Sequence, residues 1–289
     1  MTVRIVTDST ADIPLEQAKA LGITVVPLTV YFGNKEYLDA VELDNATFYQ
    51  RLQTSKVTPR TSQPPPAAFM EAFTTLINEG ADSILAVHVS AKLSGTFQSA
   101  RTGRDSLPDD LRKIPIEIVD SETVSMGMGY AVMQAAKEAQ QGDSLEEIQT
   151  RLRSRLSRTH ILFVLDTLEY LKRGGRVGSA KAFLGNMLSV KPILAIKNGM
   201  VVGLEQPRTR GKAIARITQL VSEMGQFEQF AIIESDAEAG QQLASALKEV
   251  YPSTIPTYKL GAAVGTYAGP GTAGVTLVLL AGEGNKTAE

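Results

Sequence analysis

The hydrophobic period of this chain changes again and again, and that alternation constrains the fold more than any single motif. Val3-Arg4-Ile5-Val6 is a short β-branched run. Asp12-Ile13-Pro14, a capping carboxylate with a proline in the first turn, predicts a helix through Ala20, stopped by Gly22. A strand is expected over 23–31 and a turn at 32–35. Helices are expected over about 44–54 and 66–79, a fully buried strand over 84–89, and a helix from near Ser94. A strand at 116–119 and a helix over about 124–140 come next. Ser144-Leu145-Glu146-Glu147 is a capping box for a helix to about Arg158.

The pattern then restarts. Residues 161–165 read as a strand, the glycines of 174–178 break the chain, and a helix is expected to about Met187. Asn198-Gly199 between two apolar runs predicts a type I′ hairpin. A helix over about 209–224 and a strand over 230–233 follow. Ser235-Asp236-Ala237-Glu238 opens a helix to about 250, strands are expected near 255–260 and 274–280, and 282–289 reads as a frayed tail. Strands alternating with helices imply α/β layers with mainly parallel sheets. The restart predicts two α/β domains, 1–157 and 158–289, which suits a length of 289 residues. No Gly/Ser linker separates them, so they should pack closely, and a cleft between such domains is a usual place for a ligand.

Missing features narrow the function. A net charge of −2 lacks the basic excess of a protein that lives on phosphate contacts, so nucleic acid is not expected as a partner. No run approaches about 18 apolar residues and MTVRIVTDST is no signal peptide, so no transmembrane segment and a cytoplasmic location are expected. The absence of cysteine excludes a disulfide, a thiol nucleophile, Cys-ligated zinc and iron–sulfur clusters. The two histidines, His88 and His160, exclude a His-rich metal site and are the only candidates for the base of a Ser-His-Asp triad. His88 sits inside an apolar strand and reads as a core residue, and His160 reads as structural. That favours a binding protein over the alternative, an α/β hydrolase or transferase using Ser94 or Ser9.

Gly269-Pro270-Gly271-Thr272-Ala273-Gly274 matches G-x-G-x-x-G, but it precedes a strand instead of opening a helix, so it reads as a glycine-rich turn. There is no P-loop and no nucleophile elbow. The hydroxyl clusters at strand ends are more telling: Asp8-Ser9-Thr10, Thr61-Ser62-Gln63-Pro64, and Ser90 with Ser94-Gly95-Thr96. Hydroxyls with free backbone N–H groups suit a carboxylate or phosphate, although each cluster alone could simply cap a helix. Gly174-Gly175-Arg176 is a flexible turn carrying a guanidinium, which fits an oxyanion if it is not merely solvated. Arg151, Arg153, Arg155 and Arg158, and likewise Arg208, Arg210, Lys212 and Arg216, read as solvated helix faces.

Taken in order, these segments resemble the DegV family of bacterial fatty-acid-binding proteins. The matching pieces are Asp8 to Ile13, Thr61 to Pro64, Leu93 to Ala100, Asp120-Ser121 and Ser125 to Gly127 in the first half. Leu168 to Arg176, Lys191 to Leu194 and Gly269-Pro270-Gly271 follow in the second. The resemblance implies two α/β domains with a long acyl chain, such as palmitate, buried between them. It implies a carboxylate site at Thr61, Ser62 and Ser94, with Gly95 and Thr96 beside it. It implies no cofactor, and a partner: a separate ATP-dependent fatty acid kinase that makes acyl phosphate for phospholipid metabolism. Arg176, and Arg208 or Arg210, would lie at the mouth and serve phosphoryl transfer or docking. Many relatives carry histidine in a Gly-Thr-His sequence where this chain has Gly265-Thr266-Tyr267. Tyr267 can donate a hydrogen bond but cannot become an imidazolium near neutral pH. The remaining alternative is a module for another small anionic metabolite; a long apolar tunnel would mean lipid and a short polar cup a metabolite.

Overall fold

A computed structural model describes residues 2–186 and 190–282. Strand β1 (Val3–Asp8) leads through a three-ten turn to α1 (Leu15–Ala20) and β2 (Ile23–Val26). Then come β3 (Thr29–Phe32), β4 (Lys35–Leu38), α2 (Asn45–Thr54), β5 (Arg60–Ser62) and α3 (Pro66–Asn78). The first half continues through β6 (Ser83–His88), α4 (Thr96–Asp105), β7 (Ile116–Asp120), α5 (Met126–Gln141) and α6 (Leu145–Ser157). The second half holds β8 (Thr159–Val164), α7 (Glu169–Gly174), three-ten turns over 178–186, β9 (Ile193–Lys197) and β10 (Met200–Glu205). It ends with α8 (Arg210–Glu223), β11 (Phe227–Glu234), α9 (Ala237–Leu247), β12 (Thr257–Lys259), α10 (Ala262–Ala268) and β13 (Ala273–Leu279).

The α/β class is as expected, and the first sheet, β2-β1-β6-β7, is parallel throughout. The second sheet, β10-β9-β8-β13-β11-β12, departs from expectation: only β11 and β12 run parallel. Its β9–β10 pair is joined by the two-residue turn foreseen at Asn198-Gly199, both at positive φ. The last strand, β13, inserts antiparallel between β8 and β11.

Three local expectations are corrected. The run 23–31 is two strands in different sheets, because Pro27 cannot donate to a ladder and the chain leaves the first sheet there for the small sheet β4-β3-β5. Asp12 does not cap α1; it lies at φ 53° and turns its carboxylate elsewhere, while Pro14 precedes the helix. The helix expected after Gly178 is three-ten, and its foreseen end at Met187 lies outside the described residues, as does most of the tail. Helix α10 was not foreseen.

The layers stack in order. Helices α3 and α4 cover one face of the first sheet through Phe69, Phe73 and Ala100. Helices α8 and α9 cover the outer face of the second through Ile217, Val221 and Leu243. Between the sheets runs α5, whose Met126, Met128, Ala131 and Val132 pack among residues of both inner faces. A β-carbon on Gly127 would lie 2.7 Å from Ile161 Cδ1, so glycine at this position leaves room for the Ile161 side chain between α5 and β8. Arg155 and Arg158, expected to be solvated, join these layers. Arg155 bonds Glu138 of α5 at 2.7 Å and Glu228 of β11 at 3.0 Å, and Arg158 also reaches Glu228 at 3.0 Å. Arg151 pairs with Glu138 and Asp143. In the other basic stretch Arg216 pairs with Glu205 at 2.7 Å.

Candidate functional site

A cavity lies beyond the carboxyl ends of the first sheet's strands, against β8 to β11 of the second sheet and just ahead of α5. Its walls are mostly aliphatic, drawn from both halves: Leu28, Val89 and Val124 from the first, Phe163, Ile233 and Val264 from the second. Polar groups on its lining include Thr61, Ser94, Arg176 and Tyr267, and also Thr10, Ser125 and Thr272. Thr61 comes from β5, Ser94 from the turn before α4, Arg176 from the turn after α7 and Tyr267 from α10.

Three of these groups touch one another in sequence. The Tyr267 hydroxyl is 2.7 Å from Thr61 Oγ1. The Arg176 guanidinium stacks over the Tyr267 ring, 4.9 Å from its centre. Arg176 Nε donates to the Leu93 carbonyl at 3.1 Å and Nη1 to that of Gly174 at 2.6 Å. These bonds hold the cation beside Ser94, whose hydroxyl meets Thr96 Oγ1 at 2.8 Å. One permanent cation and several hydroxyls on an otherwise apolar cavity can bind a carboxylate without water.

Other residues foreseen for the site lie outside this lining. Ser62 follows Thr61 on β5, so strand alternation turns it to the opposite face, where its hydroxyl is 3.4 Å from that of Tyr31. Gly95 and Thr96 open α4, and the buried Thr96 hydroxyl is taken by Ser94. Arg208 is exposed. Arg210 bonds Gln242 at 2.8 Å, Asp166 at 3.2 Å and the Gly271 carbonyl at 2.5 Å. His88 is a core residue, buried against Phe69 with Nδ1 3.0 Å from Asp8 Oδ2. The partner recorded for Ser94 Oγ is thus a threonine, and His88 is engaged with Asp8.

Reading the sequence alone missed the acidic seat of α10. Asp12 Oδ2 accepts from Ser125 Oγ at 2.5 Å, and its Oδ1 accepts from the Gly261 N–H at 2.9 Å. Asp39 Oδ1 accepts from the Ala262 N–H at 3.2 Å. Two carboxylates of the first half therefore receive the start of a helix from the second. Burial raises Asp12 well above the ordinary aspartate range and lifts Asp39 to about 6. No local signal marks this helix; its small residues fit under Phe48 and Tyr49, and its cap comes from distant residues.

The cavity thus joins a cluster of polar groups to aliphatic walls drawn from both halves of the chain. The chain belongs to the DegV family: the model of that family, described as an uncharacterised protein family, matches residues 2–279. A DegV domain-containing protein of Streptomyces coelicolor is 35% identical over 280 residues, covering 95% of this chain and 98% of the relative. The protein DegV of Bacillus subtilis is 35% identical over 284 residues, with the same coverage. Among solved structures, a Thermus thermophilus DegV family protein described for fatty acid binding superposes at a TM-score of 0.86. It is 33% identical and the match covers 97% of this chain and 100% of that one. The Bacillus subtilis DegV structure, described as a fatty acid binding protein, gives 0.85 at 33% identity and the same coverage. Among the described residues no helix is long and apolar enough to cross a membrane, and no cluster of three or more His, Cys, Asp or Glu could hold a metal ion.

Proposed function

We propose that this chain binds one long-chain fatty acid, its tail in the aliphatic cavity and its carboxylate among Thr61, Ser94, Arg176 and Tyr267. The observation that carries the reading is the gathering of these four residues, from both halves, onto one otherwise apolar cavity. The fatty acid binding described for the Thermus thermophilus and Bacillus subtilis relatives supports it. Burying a tail of about fifteen carbons at about 0.8 kcal/mol each gives a gross gain of order 10 kcal/mol, of which association takes back a large part. Aliphatic walls favour this over a polar metabolite, and the hydroxyl partners of Ser94 favour it over a serine hydrolase.

In this reading residues 1–157 and 158–289 act as two domains that close on the ligand, the first supplying Thr61 and Ser94 and the second Arg176 and Tyr267. The protein acts in the cytoplasm, takes no cofactor, and presents the acid to a separate ATP-dependent fatty acid kinase that forms acyl phosphate. Exposed Arg208 is available for docking that kinase. Organic extraction of the purified protein and mass spectrometry should yield about one equivalent of a C14–C18 acid. No extracted acid, together with no uptake of added palmitate or oleate, refutes the binding. The kinase step is checked separately, by trapping acyl phosphate as the hydroxamate after adding a bacterial fatty acid kinase and ATP.

A further inference from the structure

Ile161 and Ile196 line two spaces at once. On one side is the aliphatic cavity; on the other is a separate groove of about 960 Å³ between β7, α6 and the start of β8. The wall includes one rung of the second sheet, and Leu162 and Ala195 beside that rung also face the groove. The β8–β9 ladder ends with Leu162 opposite Ala195, and the same register sets Ile161 opposite Ile196 one step further. One step beyond, His160 and Lys197 open onto the groove with Asp120 and Glu122. Burial and the Lys197 charge hold the His160 imidazole below its ordinary range. The rung therefore lies between an aliphatic space and a groove that also exposes charged groups. Ile161 is itself buried and pressed against Gly127, whereas Ile196 is half-buried.

We propose that Ile161 and Ile196 form the end-stop of the acyl cavity and set the longest chain it accepts. This rests on the acyl-binding reading. A methylene within the cavity gains about fourfold in affinity, the equivalent of about 0.8 kcal/mol. Once the terminal methyl meets the isoleucine pair, a further carbon must displace a side chain or enter a groove lined by charges, and the gain stops.

The test is a binding series of saturated acids from C12 to C22 on delipidated protein, by native mass spectrometry and competition. Wild type should tighten about fourfold per carbon and then level off or weaken at one length. Ile196→Ala should move that break up by two carbons or more, and Ile196→Phe should move it down. Ile196→Val, which removes a single methylene, keeps the test open if either larger change prevents folding; it should strengthen binding of the first acid beyond the break. Breaks at the same length in wild type and in every folded variant overturn the end-stop while leaving acyl binding intact. Wild type that binds no acid refutes the function itself.

Discussion

Ser94→Ala separates a ligand contact from a contact at the start of a helix. The hydroxyl lines the cavity, exchanges a hydrogen bond with Thr96 Oγ1 at 2.8 Å and accepts the Thr96 N–H at 3.3 Å. Gly95 is the residue at the N-cap and makes no side-chain cap, so the helix depends little on Ser94. Losing the local bonds should cost about 1 kcal/mol of stability, roughly 2–4 °C in Tm for a chain of this size class. Losing a hydrogen bond to a bound carboxylate should cost about 1.5–3 kcal/mol of affinity, roughly a 10- to 150-fold rise in Kd. The assay is titration of delipidated wild type and variant with palmitate, with thermal melts of both ligand-free proteins. An unchanged Kd with a lowered Tm would return Ser94 to a purely structural role and remove it from the site.

Three further outcomes can be measured. Tyr267→Phe keeps the ring beneath Arg176 but strips the partner of Thr61, so palmitate affinity should fall by about 1 kcal/mol, roughly fivefold, while Tyr267→His should retain acyl binding in the same titration. A β-carbon at Gly265 would lie 2.5 Å from the Tyr49 hydroxyl and 2.7 Å from Phe48, so Gly265→Ala should destabilise by about 1–3 kcal/mol in denaturant unfolding. Asp39 has its carboxyl raised by burial from 3.8 to about 6, so the folded state binds its proton more tightly than the unfolded chain. Its destabilising contribution, of order 3 kcal/mol, is present in full above pH 6 and disappears as pH falls towards 3.8. Asp39→Asn should remove that rise from the wild-type stability profile between those values; superimposable profiles in urea would refute it.

Much of the fold was legible because its signals are local. The Ser144–Glu147 capping box and the Asn198-Gly199 turn form as written, since each depends on residues within a few positions. What escaped depends on distant partners. Proline at position 27 was a visible warning inside the apolar run, but which sheet received the next strand was not. The antiparallel insertion of β13 follows from where β8 and β11 leave a gap, which no local pattern records. The arginines of α6 look like a solvated face until Glu138 and Glu228 arrive beside them. Of the cavity lining, Thr61 and Ser94 stood out in the sequence as hydroxyl clusters, while Arg176 and Tyr267 were expected only at its mouth. The parity that parts Thr61 from Ser62 was not legible, because 60–62 reads as a loop until β3 pairs with it.

The least legible element, α10, explains how the cavity depends on the docking of the two halves. Its first N–H groups go to Asp12 and Asp39, and five residues later Tyr267 reaches Thr61. One short helix thus ties the second half to the first at both its ends and supplies a cavity wall between them. Seven residues with two flanking glycines would not hold a helix in water, so its order comes from these ties. A ligand that bridges Ser94 and Thr61 to Arg176 and Tyr267 adds to the same docked state, and stabilises it in proportion to the logarithm of its concentration over Kd. Removing the acceptors of the acidic seat, as in Asp12→Ala or Asp39→Ala, should therefore weaken stability and affinity together, whereas changes at Ser94 should act mainly on affinity. That difference in pattern distinguishes residues that hold the cavity closed from residues proposed to hold the carboxylate.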